Sequence, residues 1–190
     1  MCSPWVPAFA GTNGSASHSP DGAISAFTRI FDALWRYPGT MVQEVVNMEQ
    51  KCEPLNPDDI ADLAAKRAWV CQHYDEAARH KYDTLDGKLR LLDAILRNKW
   101  IAPDETLKLQ CLGVTFGDAL AQKLGLTWVA VEDEYGRDPA LALDGTSIFA
   151  FPLTSISKRI ERGEVVEVYG LFEDACSAIE RLRREGTYNL

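Results

Sequence analysis

Cysteine is scarce in this chain and badly spaced for any framework. Its 190 residues hold five, Cys2, Cys52, Cys71, Cys111 and Cys176, with no Cys-x-x-Cys pair. An odd number of well-separated thiols excludes a disulfide scaffold and the usual zinc spacings, and points to reduced, scattered side chains. Histidine is scarcer still, at three. His73 and His80 are expected seven apart on one helix, but no third ligand accompanies them, so no metal site is assigned. Positive charge is in deficit: 20 Lys and Arg face 28 Asp and Glu, a net charge of −8. That balance repels a phosphate backbone and argues against nucleic acid as a partner. No apolar run approaches the ~18 residues of a spanning helix, so no membrane span is expected. The sequence also lacks Gly-x-Gly-x-x-Gly, a Walker loop, His-Glu-x-x-His and Gly-x-Ser-x-Gly. No cofactor and no catalytic set is therefore assigned.

What remains is an ordinary globular composition, 46% hydrophobic and 25% charged, enough to bury a core without staples. Residues 1–21 are rich in Gly, Ser, Pro and Ala and have no positive region before their short apolar stretch, so they are read as disordered rather than as a secretory signal. A cytoplasmic location follows as the expectation. The string Trp5 to Thr12 looks like translated bacterial intergenic repeat, which puts the expected true start at Met41 or Met48. Residues 22–47 hold a helical extension carrying Ile24, Phe27, Ile30, Phe31 and Leu34, and residues 48–190 are expected to form a single domain.

Within that domain the start signals are clear. Asn56, Pro57, Asp58 and Asp59 predict a helix N-terminus, and apolar spacing continues the helix to about His80. Leu85, Leu89, Leu92 and Leu96 mark a second helix, expected to pair antiparallel with the first. A third runs from Pro103 to Leu124 with Gly125 as its stop, and carries Gly113 and Gly117 where another element must approach closely. Strands then follow at 126–133, 139–143 and 146–151, the last two joined at Asp144-Gly145 by a two-residue hairpin turn. Two helices close the chain, at about 155–162 and 171–185. The predicted class is α+β: N-terminal helices, a three-stranded antiparallel meander, then two C-terminal helices packed on one sheet face.

Two segments carry the candidate chemistry. Around the first turn of the meander stand Trp128, Glu132, Asp133, Glu134 and Arg137. Strand alternation sets Glu132 and Glu134 on one side, where paired carboxylates can share a proton or hold Mg²⁺ or Ca²⁺. A solvated acidic strand end explains the same residues without chemistry and is preferred. Downstream, Ser155, Lys158 and Arg159 lie where a strand enters a helix, a position able to hold an anion. Capping by the hydroxyls is the plainer account. Ser155 and Lys158 share the Ser-x-x-Lys spacing of serine acylating enzymes, but the partner motifs of those enzymes are absent. Lys158, Arg159 and Arg162, with Arg181, Arg183 and Arg184, form basic patches. Trp69, Trp100 and Trp128 are read as core or core-edge anchors.

These residues point to a non-catalytic module that binds a protein partner or a small anionic ligand. The alternative is a metal-assisted or carboxylate-dependent hydrolase or transferase acting on an anionic substrate. Leu112 to Leu120, Gly125 to Gly136 and Phe151 to Arg159 together resemble the bacterial family catalogued as domain of unknown function 3806, over roughly residues 103–175. The resemblance implies no activity and marks Trp128, Glu132–Gly136 and Pro152–Arg159 as family-typical.

Overall fold

A computed structural model describes residues 51–133, 136–146 and 148–185. The segment 1–50, with the expected disorder to residue 21, the helix over 22–47 and the alternative starts, lies outside the described residues, as does Glu134. The order is β1 (Lys51–Pro54), α1 (Pro57–Cys71), a 3₁₀ segment (Glu76–Asp83), α2 (Leu85–Arg97), α3 (Thr106–Leu124), β2 (Thr127–Asp133), β3 (Gly136–Ala142), β4 (Phe149–Ala150), a 3₁₀ turn (Pro152–Thr154), α4 (Ser157–Glu161) and α5 (Val168–Glu185).

The α+β class stands, but the sheet has four strands rather than three, all antiparallel in the order β1-β2-β3-β4. The missed strand, β1, is short, charged and ends in Pro54, so it has no apolar alternation to betray it. Its place at the sheet edge is where a proline and exposed charges are tolerated. The last hairpin is longer than a two-residue turn. Leu143 N–H donates to the Ile148 carbonyl at 3.1 Å, and Thr146 N–H returns to Leu143 with Gly145 at φ 74°.

Asn56 and Asp59 form a reciprocal capping box, each side chain accepting the other's N–H, with Pro57 at the first helical position. The helix ends at Cys71, not near His80. Past that point the apolar residues, Tyr74, Ala77, Ala78 and Tyr82, no longer keep one continuous helical stripe, and local contacts win. His73 Nδ1 turns back to the Trp69 and Val70 carbonyls, and the Tyr74 hydroxyl donates to the Gly87 carbonyl at 2.7 Å. His73 and His80 therefore do not share a helix. Nor do α1 and α2 make an isolated pair, because each packs principally on α3.

α3 is the central element. Leu109, Leu112, Val114, Phe116, Ala119 and Leu120 are all buried, so the middle of the helix is covered on nearly every side. Phe116 meets Phe172 of α5 edge-on at 6.1 Å. The remaining side faces the Pro152–Thr154 turn. There a Cβ on Gly113 would stand 2.2 Å from the Leu153 carbonyl oxygen, and one on Gly117 would stand 2.6 Å from both Pro152 and the Trp128 ring. The two glycines admit the close approach of another element that their spacing predicts, backbone at Gly113 and the Pro152 and Trp128 side chains at Gly117.

Gly113→Ala gains about 1 kcal/mol of helix propensity but drives a methyl into main chain. It is expected to lose roughly 2–3 kcal/mol net, seen as a fall in the urea midpoint at unchanged slope.

Candidate functional site

One polar layer crosses the domain where α1, the Glu76–Asp83 segment, α2, α3 and β2 meet. Its centre is Asp118 of α3. Arg67 of α1 donates to it through Nε at 2.7 Å and through a terminal nitrogen at 2.8 Å, and Trp128 of β2 donates its indole N–H at 2.9 Å. The Arg67 guanidinium also lies 6.0 Å from the Trp128 ring. Both carboxylate oxygens are thus engaged, and the pairing raises Arg67 further above its ordinary value.

One turn away on α3, the fully buried Thr115 hydroxyl meets the Tyr82 hydroxyl at 2.8 Å. Burial pushes the Tyr82 phenol well above its usual range. Across the Tyr82 ring, at 5.5 Å, stands the Lys88 ammonium of α2, which donates to Gln122 Oε1 at 3.0 Å. Gln122 in turn donates to the Asp83 carbonyl at 3.3 Å. Burial lowers the Lys88 pKa, opposed by Asp118 and Asp83 and reinforced by Arg67. Thr115, Asp118 and Gln122 are spaced i, i+3 and i+7, so one face of α3 supplies three members of the layer.

A second ion-pair group lies on the same sheet face as Trp128. Arg137 of β3 donates to Asp59 at 2.8 Å and to Glu53 at 3.1 Å, tying β1 and the start of α1 to the sheet. Its Nε is buried and makes no hydrogen bond. Lys51 pairs with Glu53 from the other side. Burial works against the Asp59 carboxylate, but the Asn56 N–H and Arg137 outweigh it and hold its pKa below the usual value. Lys51, then Arg137, do the same for Glu53.

The residues singled out in the sequence are dispersed over these surroundings. Trp128 belongs to the Asp118 layer and Arg137 to the sheet-edge group. Glu132 is exposed, in register with Lys51 and Arg137, and Asp133 ends β2. Ser155 is buried and donates to the Pro152 carbonyl at 2.7 Å, while Ser157 donates to Thr154. The hydroxyls therefore close the 3₁₀ turn behind them instead of capping α4, whose N-cap, Ile156, makes no side-chain bond. Lys158 is half-buried. Arg159 is buried, bonding the Ser155 carbonyl, and does not join Arg162 on a wet basic face. Trp100, expected at the core edge, is half exposed and stacks on His73 at 6.0 Å. Burial pushes the thiols of Cys111 and Cys176 up to about 11, which makes them inert at neutral pH.

Asp118, Arg67 and Lys88 escaped the sequence reading, although two left a signal. Asp118 is the lone charge in Leu112-Gly113-Val114-Thr115-Phe116-Gly117-Asp118-Ala119-Leu120. Lys88 falls between Leu85 and Leu92 on the apolar seam of α2, where a lysine is out of place. Arg67 is one of many charges on an exposed helix and left none.

Asp118→Asn is expected to cost about 2 kcal/mol, less than a fully buried pair because the Arg67 side chain is 32% exposed. Chemical denaturation at neutral pH measures it. Asp59 and Glu53 both have folded pKa values below their ordinary 3.8 and 4.5. Their stabilisation is present above those values and is lost as pH falls through the lower, folded ones. Arg137→Met should therefore destabilise the protein at pH 7 and flatten the fall in melting temperature below about pH 4.5, so that the two proteins converge in acid.

The chain is similar to a solved structure from Bacteroides thetaiotaomicron VPI-5482, with 15% identity and a TM-score of 0.54. The likeness covers 66% of this chain and 47% of that one, so this chain spans about half the length of that structure, and it concerns the fold alone. No curated protein matches the sequence. Residues 88–172, beginning at Lys88 and so taking in most of α2, match the family described as Domain of unknown function (DUF3806), the family whose motifs the sequence resembles.

Proposed function

We propose that this domain is a non-catalytic binding module of the bacterial cytoplasm that takes a small anionic ligand or a protein partner. The observation that carries it is the state of Asp118. Its two oxygens accept three N–H donors from Arg67 and Trp128. A general base needs a lone pair free to take a proton, and a metal ligand needs one free to coordinate. Three of the roughly four lone-pair sites of Asp118 are taken and a guanidinium is paired to it, so its geometry is that of a clamp more than of a base or a metal ligand. Asp59 and Glu53 each accept one N–H from Arg137 and are held in place by it. Rigid polar positions held by mutual hydrogen bonds suit recognition, because little ordering remains to oppose binding.

A thermal-shift screen of the whole chain against metabolites and divalent cations tests this. A ligand at a hundredfold excess over its Kd should add about 2.7 kcal/mol of stability. The ligand is expected to be recovered chemically unchanged, by NMR, after long incubation with stoichiometric protein. Conversion of that ligand to a product would overturn the proposal in favour of an enzyme.

A further inference from the structure

Lys88 is 7% exposed, yet among the described residues its ammonium makes one hydrogen bond, to the neutral amide of Gln122. An ammonium carries three N–H donors. Among the described residues no carboxylate lies within salt-bridge distance of it. Asp118 stands near enough to act on Lys88 electrostatically, but its oxygens are already held by Arg67 and Trp128. The interior layer thus holds Arg67 and Lys88 against the carboxylate of Asp118, and the exposed Asp83 carboxylate acts on Lys88 only from the margin, without contact.

A buried charge without a counter-ion is costly, and a methionine or leucine of similar volume would serve the fold better. The lysine is also fixed in aim. Gln122 cannot rotate its amide freely, since its Nε2 is donating to the Asp83 carbonyl while its Oε1 accepts from Lys88. The ammonium itself lies over the Tyr82 ring, 5.5 Å from its centre. Gln122 and Asp83 are exposed, so the ammonium end lies at the wet margin of the layer rather than at its centre.

We propose that Lys88, oriented by Gln122 and walled by Tyr82, is an oxyanion-binding site that takes the carboxylate or phosphate group of a small molecule. This deepens, and rests on, the binding-module reading above. The bound oxyanion accepts the remaining Lys88 N–H groups and supplies the contact counter-charge that Asp118 and Asp83 give only at a distance. The Tyr82 ring backs the ammonium, and its hydroxyl stays with Thr115. A chain of net charge −8 would otherwise repel such a ligand, so the attraction is confined to this layer.

The test uses the whole chain at constant ionic strength, with chloride exchanged for phosphate, sulfate, acetate or citrate up to roughly tens of millimolar, as counter-ion exchange isolates a specific effect from screening. The phosphate and carboxylate arms separate the two sources of the same chemistry. At least one oxyanion should raise the melting temperature of the native protein. Lys88→Met should weaken that binding by about tenfold or more, the loss expected for a charge-assisted hydrogen bond. In the absence of added anion the same variant should melt at or above the native protein. Gln122→Ala, which leaves the ammonium in place on an exposed position, should weaken binding less. Equal stabilisation of native and Lys88→Met protein by every oxyanion, or none in either, would overturn the proposal. So would a Lys88→Met protein that melts well below the native one, since that marks a structural lysine. A neutral ligand or protein partner that binds both proteins equally removes the oxyanion site and leaves the binding module standing. Turnover of a Lys88-dependent ligand does the reverse.

Discussion

Three N–H groups converging on Asp118 join elements that are otherwise far apart in the chain. Arg67 reaches it from α1 and Trp128 from the sheet, so one carboxylate sets the angle of a helix and the seating of a strand against the central helix. Gly117, the preceding residue, lets the Trp128 ring lie directly on α3. Polar fixing and close packing therefore act at the same place. An apolar core determines that these surfaces meet, while a bidentate guanidinium and an indole donor determine where, because only those positions satisfy every donor and acceptor.

The same layer shows how a stable arrangement and an unstable group coexist. The Arg67–Asp118–Trp128 set is mutually satisfied. Lys88, in the same layer, is not, and burial disfavours its charge. Natural chains keep such local conflicts chiefly where they serve recognition or chemistry, and surround them with rigid, satisfied neighbours. Tyr82 and Thr115 bond each other, and Gln122 is held at both ends, so Lys88 stands in a fixed frame.

Legibility from sequence followed how local each determinant is. The start of α1 was plain because Asn56, Pro57 and Asp59 settle it among themselves, and Gly125 ended α3 in the left-handed conformation it suits. The α+β class and the closeness of approach at Gly113 and Gly117 were readable for the same reason. β1 was not, since Lys51-Cys52-Glu53-Pro54 becomes a strand only by virtue of its neighbour. The stop of α1 at Cys71 was hidden too, because it depends on Tyr74 finding the Gly87 carbonyl. Of the candidate site, Trp128 was legible, but its partner Asp118 needed the fold to bring Arg67 across. Arg137 and Arg159 looked like surface charge and proved to be internal fasteners, a distinction that depends on burial and not on residue type.

The register of β1 has a kinetic side. Pro54 pairs with Val129 and Lys51 with Glu132, so the strand joins the sheet across α1, α2 and α3. Closing that distance loses much entropy before a single pairing rewards it, whereas the β2–β3 hairpin and the α2–α3 contact are nearly local. The order of assembly follows: the hairpin and the central helix come together first, and β1 is added last. By the same logic it is expected to open first, at a lower free energy than the core. The Arg137–Glu53 and Arg137–Asp59 pairs then serve as a latch on the last-formed strand, holding shut the seam that topology makes weakest.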